Sequence, residues 1–545
     1  MPAKTAARRR RARSFIVQGS ILAAASVLVR LIGLIYRIPM TRILGNEGMG
    51  YYGYAFEVYN LCFIISSYGM PMAVSKLVAG HTAKREYKSA FNTFLGAIIV
   101  AALTGGALSL IVYFGAGFIC SKLLANAVIA IPLRVLAPTI FVSSILGVLR
   151  GFFQGKGTMV PTALSQLLEQ IVNGIVSVAA AYSLEEAHSV SPDISAYGAA
   201  GGVAGTGLGA FFGLIFLIFL LVVNMPMFQR QMLHDDHEAY EMSDLVKMLL
   251  ATVIPVMLSQ VLVRSNGLIA MTMFNHITKM KHLSAEETTS LYGIYESKYL
   301  LLMNIVTGIT TAITTAMIPS IVAVHETGDM DAVEGKANVA LKFNLLIAIP
   351  CTFGFAFLGA PIVRLLFGDN SPVIKGTMFL GAAACTLYTL SILFNTIIQS
   401  IYKMMLPVRN SAIAIVIDVL VIFLMLRFTD QYLYALVIGN MILPIVVIIL
   451  DLPILTRTLG IHFELRRSVI LPILSSVVMT VVMMLVYFGV EKITNYAVAV
   501  LAAIFVAMIV YFVAEIKLHG ITERELRNVP KGMTVIRIAK RFHLM

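Results

Sequence analysis

"RGFFQGKGTMVPTALSQLLEQIVN", from Arg150 to Asn173, recurs in outline as "NTIIQSIYKMMLPVRNSAIAIVID", from Asn395 to Asp418. Gln154 aligns with Gln399, Met159 with Met405, Pro161 with Pro407, and the polar Asn173 with Asp418. The two segments read as copies of one hairpin. A weaker echo pairs "GMPMAVSKLVAGH" (Gly69 to His81) with "AMIPSIVAVH" (Ala316 to His325).

Both repeats must be placed among the apolar segments. The chain has 545 residues, 59% of them hydrophobic and only 13% charged, with a mean hydropathy of +0.87. That composition excludes a soluble globular protein and predicts an integral membrane protein. A span needs about 20 apolar residues. Stretches of that kind lie at about 15–38, 54–79, 90–116, 127–150, 160–182, 197–223, 245–275, 295–323, 338–366, 376–402, 408–427, 431–455, 468–490 and 494–516. Numbered in that order, both repeats are offset by six spans.

An even offset points both copies the same way through the membrane, so spans 1–6 and 7–12 are expected to form two lobes related by an axis along the membrane normal. The expected organisation is a basic N-terminus (1–14), an N-lobe (15–223), a C-lobe (245–455), two extra spans (468–516) and a basic C-terminus (517–545). Two-lobed bundles of this kind transport by alternating access, with substrate held between the lobes. No polar stretch is long enough for a separate soluble domain. "GFFQGKGT" (Gly151 to Thr158) lacks the Walker A spacing and its Lys-Ser/Thr ending.

The formal charge of +13 could suggest nucleic acid, but its distribution argues for topology instead. With the N-terminus inside, the cytoplasmic segments hold Lys4, Arg8 to Arg11 and Arg13 at one end, and Lys517, Arg524, Arg527, Lys531, Arg537, Lys540 and Arg541 at the other. Outside segments hold Arg37, Arg42, Lys122, Lys279, Lys281, Arg364, Lys375, Arg427 and Lys492. Both termini are therefore expected in the cytoplasm. Span 1 is too long for a signal-peptide core and contains Arg30. Cys62, Cys120, Cys351 and Cys385 lack metal-ligand spacing and read as small packing residues. No Ser-His-Asp constellation or clustered histidine motif is visible, so no enzyme, metal or cofactor is expected. The Gly-rich run from Gly198 to Gly213 reads as a helix-packing face.

A charge at the centre of a span costs about 2.5–3.5 kcal/mol on insertion scales unless it snorkels, so such residues are functional candidates. In "LVRLIGLIYRIPMTRILGNEGMG" (Leu28 to Gly50), Arg30 lies deepest, Arg37 is within reach of the outer interface, and Arg42 follows the expected helix end at Pro39. In span 7, Arg264 follows Gln260 by one turn, beyond a proline kink at Pro255. Lys298 stands beside Glu296 near the start of span 8, as a cavity residue or an interfacial ion pair. Guanidinium forks suit phosphate oxygens, so Arg30, Arg264 and Lys298 predict an anionic substrate, in one form a pyrophosphate. Glu57, Glu169 and Asp418 are the intramembrane acids. Glu57 is expected to pair with arginine. Glu169 shares a face with Gln166 and Asn173, a cavity wall or an interhelical seam, and with Asp418 is a candidate for a coupling cation.

The block "YRIPMTRILGNEGMG" (Tyr36 to Gly50), with its continuation to Gly80 and the stretch from Leu149 to Asn173, resembles the MurJ/MviN-type lipid II flippase and polysaccharide-exporter branch of the MATE-like (MOP) exporter superfamily. Within that branch it is most similar to the Gram-positive group that includes stage V sporulation protein B. The resemblance spans the chain. It implies an all-α polytopic bundle of 14 transmembrane helices, two MATE-like lobes plus two extra C-terminal helices that form a groove for a lipid tail. It also implies export of a polyprenyl-pyrophosphate-linked sugar, lipid II for peptidoglycan, from the cytoplasmic to the outer leaflet of the plasma membrane.

On this resemblance Arg30 matches an essential basic position of the family's first span. Arg37 lies one residue from a second such position, and Lys298 is shifted slightly from a third. The family's span-2 arginine has no counterpart in "NLCFIISSYG" (Asn60 to Gly69), and Arg264 could replace it. Energy would come from a coupling cation, Na+ or H+, or from the membrane potential, and cell-wall synthesis proteins are candidate partners. Two alternatives remain at this point: a cation-coupled multidrug exporter on the same scaffold, and a non-transporting scaffold for cell-wall or spore assembly.

Overall fold

The computed structural model describes the backbone of residues 2–402 and 405–521 with isolated positions beyond, and side chains from Ala25 onward except Ser259. The side chains of the basic N-terminal cluster and most of the basic C-terminal tail lie outside the described residues. What is described is helical, and thirteen helices are long and apolar enough to cross a membrane. They are α1 Ala25–Lys84, α2 Tyr87–Leu123, α3 Ala127–Gly155, α4 Val160–Ala187, α5 Ile194–Leu233, α6 Met242–Met280, α7 Ala285–His325, α8 Met330–Phe367, α9 Pro372–Ile401, α10 Met405–Phe428, α11 Tyr432–Thr458, α12 Arg466–Glu491 and α13 Tyr496–Lys517. The chain is a multi-pass membrane protein.

The difference from the expected fourteen lies in α1, which takes in both expected spans 1 and 2. Its 60 residues would run roughly 90 Å if straight, about three times a hydrocarbon core. It is not straight. Gly45 has φ 62° and ψ −165°, a region open to glycine alone. The Arg37 guanidinium lies 5.6 Å from the centroid of the Tyr52 ring. Fifteen residues of continuous helix would separate the two by roughly 22 Å, more than their side chains can bridge. The chain therefore folds back at Gly45. Pro39, the expected end of the first span, sits inside the helix, because its fixed φ is compatible with helical backbone and it forfeits only one donor.

Two compact units make up the chain, Met1–Ser297 and Lys298–Met545. The division falls within α7, in a π-helical turn from Tyr295 to Leu300. The first half of α7 is tied to the returning arm of α1 by glycine. A Cβ on Gly293 would stand 1.8 Å from the Asn46 carbonyl oxygen, and one on Gly50 would stand 2.1 Å from that of Thr289. Tyr54 and Tyr292 stack over this contact with centroids 4.2 Å apart.

In lipid, helices associate through close packing and interhelical hydrogen bonds rather than apolar burial alone. The Gly-rich run does this for α5. Cβ atoms on Gly201, Gly205 and Gly209 would come within 2.3 Å of Ala180 O, 2.1 Å of Ser177 Oγ and 2.5 Å of Glu169 O, all on α4. The core of the first unit gathers Phe94, Phe152 and Phe228 from α2, α3 and α5. In the second unit α12 and α13 pack on α8 through Leu358, Met479, Met483 and Ala503. Their other faces expose Val481, Leu485, Leu501 and Phe505, apolar surface suited to lipid. The four cysteines are free thiols, Cys120 and Cys385 buried among apolar neighbours.

Candidate functional site

The fold-back at Gly45 brings the two arms of α1 face to face, and the Arg37 side chain lies between them. Arg37 lies beside Tyr36 and Tyr52, its guanidinium 5.6 Å from the centroid of the Tyr52 ring. Tyr36 is held in turn by α4: Asn173 Nδ2 donates to its hydroxyl at 3.3 Å, and Gly174 leaves room for its ring. Ser177 Oγ donates to Asn173 Oδ1 at 2.8 Å and lies 2.7 Å from Gly202 O of α5. Asn173 thus holds Tyr36, the neighbour of Arg37 in the chain.

Around Arg37 the first unit assembles four ionisable groups from three helices. Glu296, in the π-turn of α7, lies within electrostatic range of both Arg37 and Arg264. Glu57, on the returning arm of α1, faces Arg264 and Glu296. Two glycines make room for the acids. A Cβ on Gly267 would stand 2.1 Å from Glu57 Oε1, and one on Gly53 would stand 2.9 Å from Glu296 Cγ. Two guanidiniums and two carboxylates sum to zero formal charge, which lowers the cost of holding each inside a membrane. Guanidinium forks held near these carboxylates have the donor geometry to take the oxygens of an incoming phosphate.

Of the expected basic residues, Arg37 and Arg264 join this cluster. Arg30 is exposed on the outgoing arm of α1 and takes no part in its described contacts. Arg37, expected within reach of the interface, is half-buried in the cluster. Gln260 is half-buried one turn before Arg264. Glu169 accepts from Arg150 Nη2 at 2.6 Å, and Arg150 Nε donates to Ser165 Oγ at 3.0 Å, so Glu169 belongs to an α3–α4 seam. Gln166 lies on the same face of α4, with a buried Oε1 that accepts no hydrogen bond. Sequence reasoning missed Glu296, Tyr36 and Tyr52. Glu296 carried a signal, as an acid inside a span, that was read only as a partner for Lys298.

In the second unit Lys298 is 3% exposed and forms an ion pair with Asp369, not with Glu296. Next to it, Tyr299 donates to Gly381 O and Asn440 Oδ1, both at 3.1 Å. Asp418 is buried in α10, with Oδ1 so near Gly439 of α11 that a Cβ there would stand 2.8 Å from it. At the end of the same helix pair, Asn410 Nδ2 donates to Asp451 Oδ1 at 2.7 Å.

Comparison with known proteins agrees with this architecture. The sequence pattern described as polysaccharide biosynthesis protein matches residues 16–325, and a second pattern of that description matches residues 283–374. Stage V sporulation protein B of Bacillus subtilis (strain 168) is 24% identical over 538 residues, which cover 96% of this chain and 99% of that protein. The lipid II flippase MurJ of the same organism is 24% identical over 412 residues, 73% of this chain and 74% of its own. Among solved structures, lipid II flippase MurJ in an inward closed conformation superposes with a TM-score of 0.66 at 16% identity, covering 91% of this chain and 97% of that one. An inward-facing multidrug resistance MATE family transporter of the MOP superfamily gives 0.63 at 19% identity, covering 80% and 99%. The fold is that of the MurJ and MATE transporters.

Proposed function

Because the chain belongs to the polysaccharide biosynthesis protein family, we propose that it carries a polyprenyl-pyrophosphate-linked sugar from the cytoplasmic to the outer leaflet of the plasma membrane by alternating access, with lipid II as the cargo. The observation that carries this reading is the cluster of Arg37, Arg264, Glu57 and Glu296. A pyrophosphate brings into the membrane the charge that two guanidiniums lack when their acids are shared. As the head binds, its oxygens take over Arg37 and Arg264, and Glu57 and Glu296 are left to hold a coupling cation, Na+ or H+. The membrane potential is the other source of drive.

The relatives support this reading by their names, a lipid II flippase and a sporulation protein. Transport rather than catalysis fits a site of charge-matched groups with no activated nucleophile. A multidrug exporter of cationic compounds fits less well, since each acid of the cluster already faces arginine. Both termini are cytoplasmic in this reading, as the lysine and arginine distribution favours.

Depletion of the protein in its host tests the function. In a strain without a redundant flippase, lipid-linked cell-wall precursor is expected to accumulate on the cytoplasmic leaflet. An unchanged precursor distribution would overturn the proposal.

A further inference from the structure

The turn "GKGT" (Gly155 to Thr158), which joins α3 to α4, holds its lysine against three aromatic rings. Lys156 Nζ lies 5.4 Å from the ring centroid of Tyr87 at the start of α2, 5.6 Å from that of Phe152 on α3, and 5.3 Å from that of Phe228 on α5. Phe152 stands edge-on to Phe228 with centroids 5.3 Å apart, so helices α3 and α5 present one continuous apolar wall to the amine.

Other lysines of the chain meet acids. Lys247 pairs with Asp244 at 3.0 Å, Lys298 with Asp369, and Lys540 with Glu523 at 3.0 Å. Lys156 pairs with no carboxylate among the described residues, and of its three ring neighbours only Tyr87 is ionisable. A ring face attracts an ammonium, but lost hydration favours the neutral amine, and no acid is at hand to hold the proton. Burial brings the Lys156 amine down to about 8. At pH 7.5 about a quarter of such an amine is neutral, against about one part in a thousand at the ordinary lysine value of roughly 10.4. A neutral amine in an apolar setting is a nucleophile.

The amine is also within reach. Lys156 is half-buried, and a Cβ on the next residue, Gly157, would meet nothing within 4 Å. Gly155, on the other side, is packed on α1, where a Cβ would stand 2.7 Å from Val78 Cβ. The turn is thus anchored before the lysine and open after it.

We propose that Lys156 is a site of acylation, taking its acyl group from a small acyl phosphate. The amine nitrogen attacks the carbonyl carbon, the bond from that carbon to the bridging oxygen breaks, phosphate departs, and the nitrogen gives up a proton to water. The product is a neutral amide. Its formation removes an unpaired charge from the place where α2, α3 and α5 meet, and with it the cost of keeping an ammonium half out of water. The site is independent of the cargo. In the topology proposed above the turn lies on the cytoplasmic side, where acyl phosphates are made.

Site-resolved acetylation kinetics test the assignment. The full-length protein in lipid nanodiscs, with both faces accessible, is treated with acetyl phosphate, and each lysine is followed in time by mass spectrometry. At pH 7.5 Lys156 is expected to react about tenfold or more faster than the exposed Lys76 and Lys247, a lead below the ratio of neutral fractions because nucleophilicity falls with basicity, as it does for thiolates. The lead is expected to shrink as pH rises toward about 10, where ordinary lysines lose their protons too. Phe228→Leu, which keeps the wall apolar, is expected to retain the lead, and Phe228→Ala, which lets water in, to reduce it. Equal rates at Lys156, Lys76 and Lys247 in the wild-type protein at pH 7.5, or a lead that does not change with pH, would overturn the proposal.

Discussion

Arg37 stays inside the membrane because its charge is shared out: the Tyr52 ring lies under it, and Glu296 lies within electrostatic range of it. Arg37→Ala removes the group that links both arms of α1 to α7. It is expected to abolish transport with protein levels near normal, measured as leaflet transfer per molecule. Arg30→Ala, outside the cluster, is expected to do less damage, and the reverse order would place the anion site further along the outgoing arm. A second residue makes a prediction in pH. The Lys156 ammonium sits 5.4, 5.6 and 5.3 Å from the ring centroids of Tyr87, Phe152 and Phe228. Burial there pushes the Lys156 amine down to about 8. The unfolded chain then holds that proton more tightly, so stability is expected to rise as pH climbs from about 8 toward the ordinary lysine value. Thermal melts of Lys156→Met are expected to lack this rise. The sequence made the cost of intramembrane arginine visible but not which arginine bears it. Depth was counted from a helix end expected near Pro39, and the helix in fact runs to Gly45. Six more residues carry Arg37 about 9 Å further from that end.

Among the elements, the hairpin at Gly45 and the glycine contacts of α1 and α5 position the site. The Gly-rich run was legible as a packing face because small residues at i, i+4 spacing form a ridge whatever the partner. The fold-back was not, since nothing in "LGNEGMG" says which glycine leaves the helix. Gly45→Ala is expected to cost about 1–3 kcal/mol, the strain of a side chain in this backbone region. Gly293→Ala must displace the Asn46 carbonyl and is expected to lower the melting temperature by a comparable or larger amount. Gly489→Ala in α12, with open space around it, serves as the control and is expected to be neutral or stabilising. The α3–α4 seam separates structure from coupling. Glu169→Gln weakens its pairing with Arg150 and is expected to cost about 1–3 kcal/mol, read by thermal unfolding, without changing ion dependence of transport. A shifted ion dependence would return Glu169 to the coupling candidates.

At the scale of the whole molecule, composition and apolar length were enough to reach a polytopic helical membrane protein, because lipid admits few architectures and apolar length counts crossings. The position of the division at Ser297 was hidden. It depends on Gly50, Gly293 and the stacked pair Tyr54 and Tyr292, contacts between distant parts of the chain that no periodicity records. The same contacts bring Glu296 to Arg37, so the site exists only once α7 has packed on α1. The central claim is that this neutral quartet passes an anionic, lipid-linked head through the membrane. The most direct measurement is leaflet transfer in reconstituted vesicles, with labelled polyprenyl-pyrophosphate sugar on one leaflet and a membrane-impermeant enzyme reading its arrival on the other. The account predicts transfer by the wild-type protein and its loss in Arg37→Ala and Arg264→Ala. Transfer by both variants at the wild-type rate would contradict it.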